Sequence, residues 1–442
     1  MLHLSRQAGF AIALLVLFAL PGEAANRSYH TAALGAARWI EMNSLETPQG
    51  VVWASDPLDP KSVNTTLYAG TPGPILFFLE AYRYTGDRTF LEEGRRGADA
   101  LLASISKNDD AGLYEGLAGS GFTLGEAYLI TRDPRYRQGA FQCLRWLEEK
   151  AQKTPEGVKW NDVTDIIGGS SGTGLFLLWT ADHLHASEAK ELAARAGEHL
   201  IAIAQHESNG GLKWMMDPTY PREMPNFSHG TAGVAYYLAT LYQATGHKKY
   251  LDAALAGATY LLSIADINNR YCMVYHNNQN KDLYYLGWCH GPAGTARLFY
   301  RLYQVTRDPK WMGLVKKCAD AIVANGGPEK VVTPGVWHNV SACCGVTAEA
   351  EFFYDVYLVT HDRKWLDEAI QASNQLLNLS DSKAGGNRWV QVETRVRPDI
   401  AIAQTGYMQG ASGIGMWLLH FSAALSGQHR PVVTFPDNPF VY

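Results

Sequence analysis

"HGTAGVAYYLATLYQATGHKKYLD", residues 229–252, carries the two signals that decide the fold. Gly230 and Gly233 open a segment that is apolar on nearly every side, and Thr245 follows Gly233 by twelve residues. At ~1.5 Å rise per residue, those twelve residues make a buried helix about 18 Å long. Behind the threonine comes a polar turn, then "YLDAALAGATYLLSI" from Tyr250, with apolar residues at helical spacing. That second run reads as a half-exposed helix. A buried helix, a turn and a half-exposed helix make one helical hairpin.

Both signals recur along the chain. Gly-x-x-Gly steps stand at Gly70/Gly73, Gly116/Gly119, Gly169/Gly172, Gly230/Gly233, Gly291/Gly294 and Gly410/Gly413, with Gly345/Ala348 as a variant, 46 to 65 residues apart. The turns "TGDRTFLE" from Thr85, "TRDPRYRQ" from Thr131, "TRDPKWMG" from Thr306 and "THDRKWLD" from Thr360 keep the twelve-residue spacing. Pro134 and Pro309 suit an early helical position. The third copy, around Trp179–Leu200, and the last lack the turn signature but keep the alternation. The expected architecture is all-α: an α/α toroid of seven helical hairpins in a single domain, with an inner and an outer ring of helices. This repeat overrides the two or three domains that length alone suggests. Parallel inner helices would gather all seven glycine-rich loops on one face around a central cavity. An open solenoid is the alternative.

The N-terminus, "MLHLSRQ" followed by "AGFAIALLVLFALPG", reads as a secretory signal peptide over residues 1–24, cut after Ala24. Residues 25–442 are then the toroid domain, secreted or periplasmic, with no stable membrane insertion after cleavage; an uncleaved anchor is the alternative. No later stretch is long and apolar enough to span a bilayer. A net charge of -5 without a basic stripe argues against nucleic acid as a partner. Six cysteines in 442 residues make no disulfide scaffold, although export makes bridges possible.

The repeat register allows positions to be compared within the chain. The two residues before each first glycine are Tyr68-Ala69, Tyr114-Glu115, Ile167-Gly168, Ser228-His229, Cys289-His290, Cys343-Cys344 and Met408-Gln409. Cys289 and Cys343 share one register position, and His229, His290 and Cys344 share the next. Sulfur and imidazole donors gathered at neighbouring helix entries suit zinc, which keeps three protein ligands and one open position in catalytic sites. A vicinal Cys343-Cys344 disulfide, a Cys289–Cys343 bridge and inert core thiols are the other readings. Cys143, Cys272 and Cys318 are expected in core packing or a bridge.

"FSHGTAGVAYYLA" from Phe227, "GWCHGPAGTARLFYRL" from Gly287 and "SACCGVTAEAEFFYDV" from Ser341 resemble the three signature stretches of the lanthionine synthetase C-like family. That family's pattern is His-Gly-x-x-Gly, Trp-Cys-x-Gly and Cys-His-Gly, and "DIIGGSSG" from Asp165 resembles its Asp-bearing stretch. The resemblance implies a seven-hairpin toroid holding Zn2+, with Cys289, Cys343 and Cys344 as metal ligands. It puts the acid/base role on His229 and the family's carboxylate on Asp165; His290, next to Cys289, is an alternative proton carrier on its residue type alone. Cys344 departs from the pattern by standing where the family has His, and "DLYYLGW" from Asp282 lacks the Arg that some members carry.

The implied chemistry is activation of a thiol, on a peptide or small molecule, for C–S bond formation. A carbohydrate-active toroid enzyme of glycosidase, lyase or epimerase type and a non-catalytic binding toroid are the competing functions. His229 as a structural histidine, Asp165 as a turn or N-cap residue, and His338 as a replacement ligand are the competing roles. Tyr284, Tyr285, Trp288, Trp337 and Tyr407 cluster near the expected mouth and suit either an organic substrate or core packing. Glu115 and Glu349 offer carboxylates without a recognisable pairing.

Overall fold

Each glycine step opens an inner helix in the computed structural model, which describes residues 23–107, 109–220, 222–329, 335–382, 385–428 and 433–440. After α1 (Glu23–Met42) come six hairpins: α2 (Pro72–Thr85) with α3 (Arg88–Ser104), α4 (Leu117–Thr131) with α5 (Pro134–Lys150), and α6 (Ser170–His183) with α7 (Ala189–Ala202). Then follow α8 (Thr231–Thr245) with α9 (Lys248–Ile264), α10 (Pro292–Thr306) with α11 (Pro309–Ala324), and α12 (Val346–Thr360) with α13 (Arg363–Asn378). The seventh inner helix, α14 (Ala411–Leu425), has no outer helix after it among the described residues. Its outer partner is α1, which packs along it, so the two ends of the chain complete the last hairpin together.

The threonine signature has a local cause. Thr85 Oγ1 donates to the Ala81 carbonyl at 2.7 Å, tying off the last turn of α2, and accepts the Asp87 N–H at 3.1 Å. Between them Gly86 turns the chain in the left-handed region at φ 74°, and Asp87 caps α3 by accepting the Thr89 N–H at 2.9 Å. Thr131-Arg132-Asp133, Thr306-Arg307-Asp308 and Thr360-His361-Asp362 repeat this geometry, with non-glycine residues at φ 61°, 59° and 56°. At Gly246, φ 72°, an added Cβ would meet nothing within 4 Å, so only backbone strain opposes a side chain. Gly246→Ala is therefore expected to cost about 1 kcal/mol, read as a lower denaturant midpoint at unchanged slope. Arg307→Gly should shift the midpoint the other way.

Closure of the toroid is visible in one set of backbone hydrogen bonds. The N–H groups of Tyr68, Tyr114, Ile166, Ser228, Cys289, Cys343 and Met408 donate to the carbonyls of Tyr114, Ile167, Ser228, Cys289, Cys343, Met408 and Tyr68, at 2.9 to 3.1 Å. The circuit returns to its start, so the solenoid alternative does not hold. Close approach of loop and helix explains the glycines: a Cβ on Gly294 would overlap the Trp288 carbonyl oxygen. Short two-stranded hairpins, which the helical pattern does not announce, follow several outer helices. There Trp53, Trp160, Trp214 and Trp389 donate their indole N–H to Ile40, Leu147, Leu200 and Leu376 carbonyls at 2.6 to 2.9 Å. The expected signal segment, residues 1–24, lies outside the described residues save for its last two positions. No described helix is long and apolar enough to cross a membrane.

Candidate metal centre

Cys289 lies three residues before α10, and Cys343-Cys344 lie just before α12. The Cys289 N–H donates to the Cys343 carbonyl at 3.0 Å, which pins the two helix entries side by side. Their side chains converge beneath this bond. Cys289 Sγ is 3.1 Å from Cys344 Sγ, Cys344 Sγ is 3.2 Å from Cys343 Sγ, and all three sulfurs lie within 4.8 Å of one another. All three are buried, and all six cysteines of the chain are free thiols. These separations exceed the ~2.05 Å of a disulfide. They fall short of the about 3.8 Å between sulfurs that tetrahedral Zn–S bonds of ~2.3 Å impose, a difference that small side-chain rotations absorb.

The donor set fits zinc on chemical grounds. Burial pushes the Cys289 thiol up, and the neighbouring sulfurs push it further. Three buried thiols this close cannot all ionise without a cation among them. Among the described residues no lysine or arginine hydrogen-bonds any of the three sulfurs. The contacts that do reach them are neutral: Tyr68 Oη donates to Cys343 Sγ at 3.3 Å, and Gln409 Nε2 lies 2.8 Å from Tyr68 Oη and 3.8 Å from Cys344 Sγ. His338 turns away to Glu349, Nδ1 to Oε1 3.0 Å, and stands outside the sulfur cluster.

One position further round the ring, His229 Nδ1 meets Asp165 Oδ2 at 2.6 Å. Asp165 is buried, and its Oδ1 accepts the Gly168 and Gly169 N–H groups at 2.9 Å each, which fixes the carboxylate before it orients the imidazole. Burial alone would press the His229 pKa down; the hydrogen bond and charge of Asp165 outweigh it and raise the value. His290 sits between, its ring 5.4 Å from His229 and 4.2 Å from His276, with Nδ1 on Asn226 Oδ1 at 2.5 Å. Burial and the neighbouring histidines depress His290 and hold His276 down at about 4.

The groups face a cleft of about 160 Å³ lined by Tyr68, His229, Tyr285, Trp288, Trp337 and the three cysteines, among others. A parallel pairing of Tyr284–Tyr285 with Val336–Trp337 brings the Tyr285 and Trp337 rings to 4.9 Å, tilted by 45°, where both line the cleft. Tyr407 lies elsewhere, stacked on Phe435 at 4.3 Å. Glu115 is exposed on the same face over Gly168, whereas Glu349 is buried against His338. Cys143, Cys272 and Cys318 are buried away from the cleft. Tyr68 and Gln409 are site residues that the sequence reading did not single out, although both occupy the register that flags the cysteines. Asn226 and His276 come from irregular segments and carry no such signal.

Comparison with known proteins follows the same lines. The chain is 20% identical over 325 residues to the protein named Glutathione S-transferase LANCL1 from Danio rerio, covering 72% of this chain and 76% of that one. The solved structure named Nisin cyclase superposes with a TM-score of 0.62 at 16% identity, over 91% of this chain and 94% of the other, which supports the shared fold. The family described as Lanthionine synthetase C-like protein matches residues 61–426. That match spans the hairpins bearing Asp165, His229 and the three cysteines, and the chain belongs to the lanthionine synthetase C-like family.

Proposed function

We propose that the chain activates a thiol for addition to an electron-poor alkene, forming a thioether, at a zinc ion held by Cys289, Cys343 and Cys344. The convergence of three buried sulfurs at one end of a cleft that also holds the His229–Asp165 pair carries this reading. When bound, zinc supplies a Lewis acid that lowers the pKa of an incoming thiol, here within a three-thiolate set whose formal charge is about -1.

The chain's own residues supply the rest. Tyr68, polarised by the Gln409 amide, donates to Cys343 and draws charge density from the sulfur cluster. His229, held at Nδ1 by Asp165, keeps Nε2 for proton transfer: it takes the proton from the substrate S–H and returns it to the alkene carbon next to the activating carbonyl. An S–H bond and a C=C π bond are lost, and a C–S and a C–H bond form. His276 and His290, kept neutral, join Tyr285 and Trp337 in a wall that excludes water.

The small cleft suits a low-molecular-weight thiol or a single cysteine side chain of a peptide. The name of one similar protein, a glutathione S-transferase, supports chemistry at sulfur. The signal-peptide reading places this reaction outside the cytoplasm. Of the carboxylates near the cleft, Asp165 is engaged by His229 and Glu393 by Gln404 at 2.7 Å, so a carbohydrate reading would have to pair Glu115, exposed on the same face, with one of these engaged groups. The test combines metal analysis with turnover of 2-mercaptoethanol and N-acetyldehydroalanine methyl ester. About one zinc per chain and a thioether product that a chelator abolishes are expected. Folded protein that lacks zinc as purified and makes no more thioether than buffer would overturn the reading.

A further inference from the structure

The segment Val433–Phe440 runs inside the ring of inner helices. The Val433 N–H donates to Glu80 of α2 at 3.0 Å, the Pro436 carbonyl accepts from Tyr236 of α8 at 3.4 Å, and the Pro439 carbonyl accepts from Gln304 of α10 at 3.1 Å. Phe440 stacks on Tyr300 at 4.3 Å, and Asn438 donates to Glu351 of α12 at 3.3 Å. At the centre stands Asp437, fully buried. Its Oδ1 accepts from Tyr114 Oη at 3.0 Å, and its Oδ2 accepts from Trp288 Nε1 and Arg297 Nη1, each at 2.9 Å.

These donors are not scattered. Trp288 is the residue before Cys289 and lines the cleft; Tyr114 belongs to the closing backbone ring, and its ring lies 5.2 Å from that of Trp288. Trp288 also packs at 5.8 Å on Phe227, two residues before His229. A buried carboxylate is tolerable only where a cation and further donors satisfy it, and Arg297, Trp288 and Tyr114 do so here. Satisfying it fixes the indole orientation, since an indole N–H has a single direction in which to donate. We infer that Asp437 is a positioning residue for the sulfur cluster: it locks Trp288, and through it Cys289, against Cys343 and Cys344 beneath the cleft. The metal readout below rests on the zinc reading of the same site; the alkylation readout does not.

Full-length mature protein, treated with chelator and titrated with Co2+, is the sample. Asp437→Asn is expected to bind Co2+ about tenfold more weakly, as loss of an outer-shell partner does, with an altered thiolate-to-cobalt absorption band. Trp288→Phe, which keeps the Asp437–Arg297 pair, should do the same, and the double variant should be no worse than either single one. Phe440→Ala, which loosens the segment without touching Asp437, should lower the melting temperature and leave the cobalt spectrum unchanged. Wild-type affinity and spectrum in Asp437→Asn would overturn the inference, and should that variant not fold, Trp288→Phe decides in its place. If wild-type protein shows no thiolate-to-cobalt band, the zinc reading falls, and the inference is judged on metal-free protein. There iodoacetamide should alkylate Cys289 about tenfold faster in either variant than in wild type, with Cys143 as internal reference, because access to a buried thiol follows local opening. Equal rates would overturn it.

Discussion

Replacement of Cys289 by serine is expected to strip the chain of its zinc and of thioether formation while leaving the toroid folded. A hydroxyl is a poor donor to zinc beside two thiolates, so affinity should fall by more than the about 10–100-fold typical of an outer-shell change. The fold should survive because the closing ring uses the backbone of residue 289, which accepts from Ser228 at 2.9 Å and donates to Cys343 at 3.0 Å whatever the side chain. The residual penalty is a buried hydroxyl, about 1–3 kcal/mol if unpaired. Metal content by mass spectrometry, read beside circular dichroism, separates the two effects. Cys344→His supplies the informative contrast: it installs the family's ligand set, brings the formal charge of the site from about -1 to about 0, and should retain the metal. A Cys289→Ser protein with full zinc occupancy would remove that cysteine from the ligand set.

The architecture was legible because its two signals are local. A threonine twelve residues beyond the glycine step marks a helix end, an obligatory left-handed residue and the next N-cap, and these contacts span only a few positions. The register was legible for the same reason: the first residue of each aligned pair carries a bond of the closing ring, six through its own N–H and Ile167 through its carbonyl, and that ring brings Cys289 beside Cys343. What escaped depends on distant partners or on chemically quiet residues. Nothing around α1 says that it completes the hairpin of α14, because that pairing joins opposite ends of the chain. The recurring tryptophans sit at the ends of, or next to, strands too short for a two-residue period to register. Tyr68 and Gln409 stood in the right register, but neither is a residue type that announces a metal site. The Val433–Phe440 segment, with two prolines and no periodicity, reads as a tail until its carboxylate is found under Trp288.

Asparagine in place of His229 is expected to lower kcat by about 10²–10⁴-fold, the usual worth of a positioned general acid/base, with KM for the thiol and zinc content little changed. This split distinguishes proton transfer from structure: a helix-entry cap would be kept by asparagine, a good capping residue, and would leave kcat intact. Asp165→Asn tests the partner by a different observable. The carboxylate raises the His229 pKa by favouring the imidazolium, so its loss must lower that pKa, and the limb of the pH–rate profile that reports the free base should move toward acid. The Gly168 and Gly169 N–H groups keep an oxygen acceptor in that variant, so the loop should hold its shape while the rate falls. Unchanged kcat in His229→Asn, or an Asp165→Asn profile that moves toward alkali, would show that the proton travels through some other group.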